Sequence, residues 1–353
     1  MKKRVISLAL SAMLLLSGCQ GLGEDGVGHR AVAQILAVDT LEDGVEVAIR
    51  LLADADGGYV TVSQQGENIS QAISEAQRKL GKQIFLRDVG LIVLGEEVCT
   101  GGIGLLQQYL YRNFQLRPRV SLLAVQGQAA EYLRQNEDAQ APIDAVAQQV
   151  QWPWENPEEG VTVMALQREL DDTGGDGYLP VASLSAEGKA ELSGGLILHR
   201  EKASRQLGRE AWDGLRLLVQ EPVSMVLTVP TDQGDGAVEL LSCSGGLQAS
   251  LEEQRPVFLV SRTYRFRLLE WSGRERPDQE ALEQALSRQL EQILGNAIRE
   301  TVYDTGADVM QLDSALRRDQ PRWWQTHGEG WKDHRQDSGF WLSVECQVEI
   351  PQQ

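Results

Sequence analysis

The sequence predicts a mixed α/β protein of more than one domain, with mixed sheets packed by helices, carried behind an export signal. Three observations predict it. β-like runs alternate with amphipathic helical stretches between residues 31 and 125. Two further runs flank Glu187-Gly188 as paired strands, and one long amphipathic helix after Pro277 precedes a closing strand. Strand, helix, strand, helix, strand is the order of an α/β layer.

The first element lies outside that fold. Lys2, Lys3 and Arg4 form a positive start, followed by an apolar stretch from Val5 to Leu16. A stable spanning helix needs about 20 apolar residues, so this stretch reads as a secretory signal. It ends in Leu16-Ser17-Gly18-Cys19. Small residues directly before a cysteine resemble the bacterial lipobox, in which the thiol receives diacylglycerol and the chain is cut just before it. Cys19 is therefore the expected lipidation site. The expected organisation is a signal peptide over 1–18 and a Gly-rich tether over 19–30. An N-terminal region over 31–190, long enough for two subdomains, and a C-terminal domain over 191–353 follow.

Within the N-terminal region, Ala31–Val38 and Val45–Leu52 read as a hairpin across Asp39–Gly44. Asn68 or Ser70 can cap a helix with the apolar face Ile69, Ile73, Ala76 and Leu80, ending at Gly81. Ile84–Leu94 reads as one buried strand, residues 103–113 as a helix and Arg119–Val125 as a strand. Residues 126–170 are mainly helical in pattern, broken by Trp152-Pro153-Trp154, and Asp171–Gly177 reads as a polar loop. Tyr178–Ser185 and Ala190–Leu198 are the paired strands.

Downstream, a helix over Ala211–Val219 and strands at Val223–Val229, Ala237–Ser242 and Val257–Leu268 are expected. The clearest helix runs from Pro277 to about Asp304, with proline at its first position, where the missing N–H costs nothing. Leu282, Leu286, Leu290, Ile293, Leu294, Ala297, Ile298 and Val302 form one stripe. Such a stripe packs on the domain's own sheet more often than on a partner. Phe340–Ile350 is the last strand.

Composition excludes several functions. Removing residues 1–18 takes three of the 33 basic residues and none of the 51 acidic ones, leaving a formal charge of about −21. Such a surface repels nucleic acid and acidic headgroups, so the lipid rather than a polybasic grip is expected to hold the membrane. Cys99, Cys243 and Cys346 are odd in number and widely spaced, which favours buried thiols over a disulfide framework and leaves one bridge open.

No catalytic constellation emerges. Gly101-Gly102-Ile103-Gly104 lacks the Lys-Ser/Thr of a phosphate loop. Neither Ser193-Gly194-Gly195 nor Ser242–Gly246 has the Gly-x-Ser-x-Gly spacing of a nucleophile elbow. His327 and His334, near Glu329 and Asp333, lack a third clear zinc ligand. The acidic runs at Glu42-Asp43, Asp54–Asp56 and Asp171-Asp172 do not follow calcium-loop spacing. Trp323, Trp324 and Trp331 fit a wedge between the long helix and the last strand better than a sugar platform. No cofactor or metal is expected.

Residues 66–133 then resemble a family. Gly66-Glu-Asn-Ile-Ser-Gln-Ala-Ile-Ser-Glu-Ala76, the 84–94 run with Gly95-Glu96-Glu97, Gly102-Ile103, Tyr111-Arg112-Asn113, Arg117-Pro-Arg119 and Gly127–Leu133 follow the order of the GerC spore germination lipoproteins. Leu282–Thr305, Asp308-Val-Met-Gln-Leu312, Ala315-Leu316-Arg317, Pro321-Arg-Trp-Trp324, Trp331 and Phe340–Ile350 continue that resemblance to the C-terminus. The sequence departs from the family in its opening after Cys19 and at Asp88, where a histidine is common.

The resemblance implies a non-enzymatic C subunit of a nutrient germinant receptor, with an α/β fold and no catalytic residues. It implies assembly with integral membrane A and B subunits at the outer face of the inner spore membrane. A solute-binding lipoprotein serving a transporter is the alternative, and it requires a cleft between domains.

Overall fold

The computed structural model describes residues 30–52, 58–113, 115–135, 161–184, 190–219 and 225–351. The signal peptide, Cys19, Trp152–Trp154 and Asp54–Asp56 lie outside them.

The first sheet begins with β1 (Arg30–Leu41), β2 (Gly44–Leu52) and β3 (Tyr59–Gly66), an antiparallel meander. The β1–β2 hairpin is tighter than the sequence suggests, because the strands pair up to Leu41↔Gly44 and only Glu42 and Asp43 turn. Helix α1 (Ile69–Leu80) is capped by the Asn68 side chain, which accepts from the Gln71 N–H, and it ends on Gly81 in the left-handed region. The expected strand over 84–94 is two strands, β4 (Gln83–Phe85) and β5 (Leu91–Leu94). Both run parallel to β1, and the turn between them buries Leu86 and Val89. Those two buried turn residues make the segment read as a continuous apolar run.

Two short helices, α2 (Glu96–Gly101) and α3 (Gly104–Arg112), lead to β6 (Ser121–Val125), parallel to β5. Helix α4 (Ala129–Gln135) and helix α5 (Val163–Thr173) bracket the next undescribed stretch. Asp171 and Asp172 therefore close α5 instead of opening a loop. The sheet continues through β7 (Gly177–Leu184), β8 (Ala190–His199) and β9 (Lys202–Gly208) in the order β3-β2-β1-β5-β6-β7-β8-β9. The 190/191 division expected from the sequence falls at the β7–β8 hairpin, whose strands pair antiparallel from Gly177↔Leu198 to Leu184↔Ala190.

Helix α6 (Arg209–Leu218) joins the two halves. Gly195 of β8 has no room for a side chain, since a Cβ would lie 2.0 Å from the Trp212 ring. On α6, Gly214 faces Ile293 and Ala297 of the long helix. The second sheet holds β10 (Val226–Thr231), β11 (Gly234–Glu252), β12 (Arg255–Trp271) and β13 (Gly339–Glu349). β11 runs far beyond the expected Ala237–Ser242, whereas β12 exceeds the expected Val257–Leu268 by two residues at its start and three at its end. β13 pairs parallel to β12 after a crossover through α7 (Gln279–Ile298), α8 (Leu312–Asp319) and α9 (Pro321–Trp331).

The α7 stripe packs as its spacing predicts. All eight apolar positions are buried, seven on α7 and Val302 in the turn that extends it, in one core with Phe258, Val260, Tyr264, Phe266 and Leu268 of β12. Pro277 sits two positions ahead of the first helical residue, Gln279, instead of at it. Asp278 takes the cap, accepting from the N–H groups of Glu280 and Ala281 at 3.1 and 3.3 Å, a role proline lacks the side chain to fill. A turn of wider spacing, Arg299–Tyr303, extends the helix.

Candidate functional site: a buried charged seam between the halves

The singled-out residues do not converge on a catalytic centre. His327 stacks on Trp323 with ring centroids 4.9 Å apart, and His334 lies 3.4 Å from Asp337. Asp333 pairs with Arg200 instead of joining either histidine. Among the described residues, no group of three or more His, Cys, Asp or Glu side chains is placed to hold a metal. Trp331 meets Trp323 at 5.9 Å and Phe258 of β12 at 6.2 Å, and Phe258 in turn stacks on Phe340 of β13, so the tryptophans reach the last strand through β12. Trp324 lies under the Arg317 guanidinium, 4.8 Å from its ring centre.

Cys99, Cys243 and Cys346 are free thiols. Burial pushes Cys99 up to about 12 and Cys346 up to about 11, with nearby glutamates adding to both. Burial also raises Cys243. None is set up as a nucleophile, which needs a lowered thiol pKa.

What the fold does bring together is a set of buried charges that sequence reading alone does not connect. Asp176 sits between α5 and β7, in a turn where Gly174 and Gly175 take positive φ angles of 79° and 111°. Its backbone N–H is held by the Thr173 hydroxyl at 2.9 Å. From there its carboxylate serves both halves. Oδ1 accepts from the backbone N–H of Arg200 at 3.0 Å and lies 2.8 Å from His199 Nδ1, both on the β8–β9 turn. Oδ2 accepts from the backbone N–H of Asp308 at 2.9 Å and from Arg335 at 2.7 Å.

Arg335, in a short turn after α9, is the centre of the seam. Its Nε and one terminal nitrogen fork onto Asp313 at 3.1 and 2.9 Å, and the other terminal nitrogen spans Asp176 and the Gly306 carbonyl. This is the bidentate geometry that distinguishes arginine from lysine. Trp331 donates its indole N–H to the same Asp313 oxygen at 3.0 Å. Asp308 caps the start of α8, accepting from the N–H groups of Leu312 and Asp313. Asp176, Asp308, Asp313 and Arg335 are each no more than 2% exposed.

Their titrations diverge. Burial pushes Asp308 up, to about 7, and the Asp313 charge adds to this against the opposing pull of Arg335 and two N–H groups. Burial acts the same way on Asp176, but His199, the N–H groups of Asp308 and Arg200 and the Arg335 charge outweigh it, and its pKa falls below the usual range. One carboxyl is thus biased toward its proton and the other away from it, as expected when three acids share one guanidinium.

Next to the seam, α5, the end of α6, β11, β12 and α8 enclose a cavity of about 370 Å³ lined by Arg168, Glu169, Arg262, Gln311 and Arg318 among others. Arg262 is buried, and its hydrogen bonds run to the carbonyls of Leu218, Gly246 and Ser261, so it closes the C-terminal end of α6.

Together these features define a mixed α/β protein of two sheets locked by a buried ion network, without a metal cluster among the described residues. Residues 27–184 match the family described as the spore germination protein N-terminal domain, and residues 193–351 match the spore germination B3/GerAC-like C-terminal family. The chain belongs to this spore germination family. It is 21% identical to the spore germination protein YndF of Bacillus subtilis (strain 168) over 309 residues, covering 83% of this chain and 75% of that protein. A second B. subtilis relative, YfkR, is 22% identical over 279 residues, covering 71% of each. The crystal structure of the GerBC protein shares the fold at a TM-score of 0.61 and 16% identity, covering 89% of this chain and 96% of that one. The family division, between 184 and 193, falls in the β7–β8 hairpin, so the first sheet draws strands from both matched regions.

Proposed function

We propose that this protein is a non-enzymatic lipoprotein subunit of a spore nutrient germinant receptor, required for nutrient-triggered germination. The observation that carries the reading is the match of both halves, in order, to spore germination families. In this reading, diacylglycerol on Cys19 anchors the chain at the outer face of the inner spore membrane. There it assembles with two integral membrane subunits. No helix among the described residues is long and apolar enough to cross a membrane, which fits attachment through Cys19. The anchor acts by concentrating the folded domains beside their partners, and the Arg335 seam keeps the two sheets in one orientation for docking.

Affinity isolation of the tagged protein from detergent-solubilised spore membranes tests this. The expected result is co-isolation of two polytopic membrane proteins, lost in Cys19→Ala. Recovery of the intact protein alone, in the soluble fraction, would overturn it.

The cavity beside α5 and α8 favours a second reading, a lipoprotein that captures a solute. Calorimetric titration of residues 20–353 with amino acids and sugars separates the two. Saturable heat supports solute capture, and its absence supports the receptor-subunit reading.

A further inference from the structure

We propose that the end of the first sheet where the tether enters is a basic face that docks on an anionic phospholipid surface. The overall charge of the chain argues against such a grip, but the topology sorts charge along the sheet. Strands β1, β4, β5 and β6 run parallel, so the segments leading into them gather at one end. Those segments carry Lys79 and Lys82 before β4, Arg87 before β5, and Arg112, Arg117 and Arg119 before β6. The opposite end, past Leu41 and Leu94, carries Glu42, Asp43, Glu96 and Glu97.

The basic end is physically continuous. Arg30, the first residue of β1, lies in register with Gln83, next to Lys82. The turn before β5 is tied to the turn before β6 by Arg117–Asp88 at 2.9 Å and by the Ser121 N–H to the Gly90 carbonyl at 3.1 Å. Lys79, Arg87 and Arg112 are exposed and make no ion pair among the described residues. Beside them Tyr111 is 62% exposed and Met164 50% exposed. The Met164 N–H donates to the Pro118 carbonyl at 2.9 Å, which fixes this apolar pair next to Arg117 and Arg119. Asp171 and Asp172 bound the patch on the α5 side, and Asp171 accepts from the Tyr111 hydroxyl at 3.3 Å.

Two facts select a lipid surface as the occupant. The first is charge: basic side chains around an exposed tyrosine and methionine suit phosphate headgroups over an acyl boundary. The second is where the chain enters. Ten residues separate Cys19 from Arg30, a reach of at most about 35 Å. This end can therefore come within the roughly 8 Å over which charge acts at physiological salt. The inference rests on export and anchoring at Cys19 for its setting, while the face itself is tested without the anchor.

Residues 20–353 retain both cores, whose first member is Ala31, and the tested chain has no Cys19. It is mixed with vesicles of phosphatidylglycerol or of phosphatidylcholine and floated at low and high salt. The expected result is flotation with phosphatidylglycerol only, abolished at about 0.5 M salt. Each basic residue near the surface contributes about fivefold to partitioning, so Lys79→Glu/Arg87→Glu/Arg112→Glu should lower it at least a hundredfold. Arg274→Glu/Arg276→Glu/Arg322→Glu, with the same charge change in the second half, should leave it within threefold. Equal flotation with both lipids, no flotation, or equal loss in the two triple variants would overturn the proposal. Failure of lipidation at Cys19 would not alter this assay.

Discussion

Replacing Arg335 with leucine should separate the two halves energetically. Arg335 supplies the guanidinium that bridges Asp176 and Asp313, at 2.7, 2.9 and 3.1 Å, and it is 2% exposed. Leucine keeps apolar volume but leaves both carboxylates buried without a cation. Breaking a buried pair in this way costs about 3–5 kcal/mol, far above the roughly 0–1 kcal/mol of an exposed pair such as Arg200–Asp333. Urea unfolding of residues 20–353, followed by tryptophan fluorescence and circular dichroism, measures the loss. The tryptophan signal, weighted to the second half by Trp271, Trp323, Trp324, Trp331 and Trp341, should change first and cease to coincide with the circular-dichroism transition. Adding Asp313→Leu should recover part of the loss, because the carboxylate stranded by Arg335→Leu is removed with it. A cost below about 1 kcal/mol, or purely additive effects, would refute the seam as the lock between the sheets.

Four further outcomes follow from particular residues. Asp308 has a raised pKa, so its contribution is fully present below about pH 4 and is lost as pH rises toward about 7; Asp308→Asn should flatten that decline, and a pH series of urea midpoints reads it. Asp176 has a lowered pKa, so stability should fall in acid below pH 3.8, and Asp176→Asn should remove that acid limb in the same titration. The thiols of Cys99 and Cys346, raised to about 12 and 11, should resist a thiol reagent at pH 8 in the folded chain and react once it unfolds in urea; fast native labelling of either contradicts their burial. Gly195→Val would force a side chain into the Trp212 ring and should cost at least about 1–3 kcal/mol by thermal denaturation, whereas Gly246→Ala, with nothing within 4 Å, should stay within about 1 kcal/mol.

Much of the fold is legible because it rests on local periodicity. The 3.6-residue spacing of Leu282, Leu286, Leu290 and Ile293 specifies a buried face whatever it packs on, and the Val/Ile-rich runs of β1 and β2 specify a hairpin. Segments in which a turn is itself buried mislead: Leu86 and Val89 make Ile84–Leu94 look like one strand. β3 carries the β-branched and aromatic run Tyr59-Val-Thr-Val, a local strand signal outside the elements expected from the sequence. The seam is a different case. Asp176 and Arg335 are 159 positions apart, and each alone resembles a solvated surface charge. Only Asp308, four residues ahead of the α8 start, carries a local hint, as a carboxylate placed to accept from N–H groups at a helix beginning. The basic face is hidden for a related reason, since total charge averages over a distribution that only the topology sorts.

The proposed role of this chain is in nutrient-triggered germination from the membrane. Loss of refractility in spores lacking only this gene, followed across amino acids and sugars, tests it most directly. The expected result is loss of response to one nutrient class, restored by the intact gene and not by Cys19→Ala. An unchanged response to every nutrient, or full rescue by the unanchored variant, would contradict it.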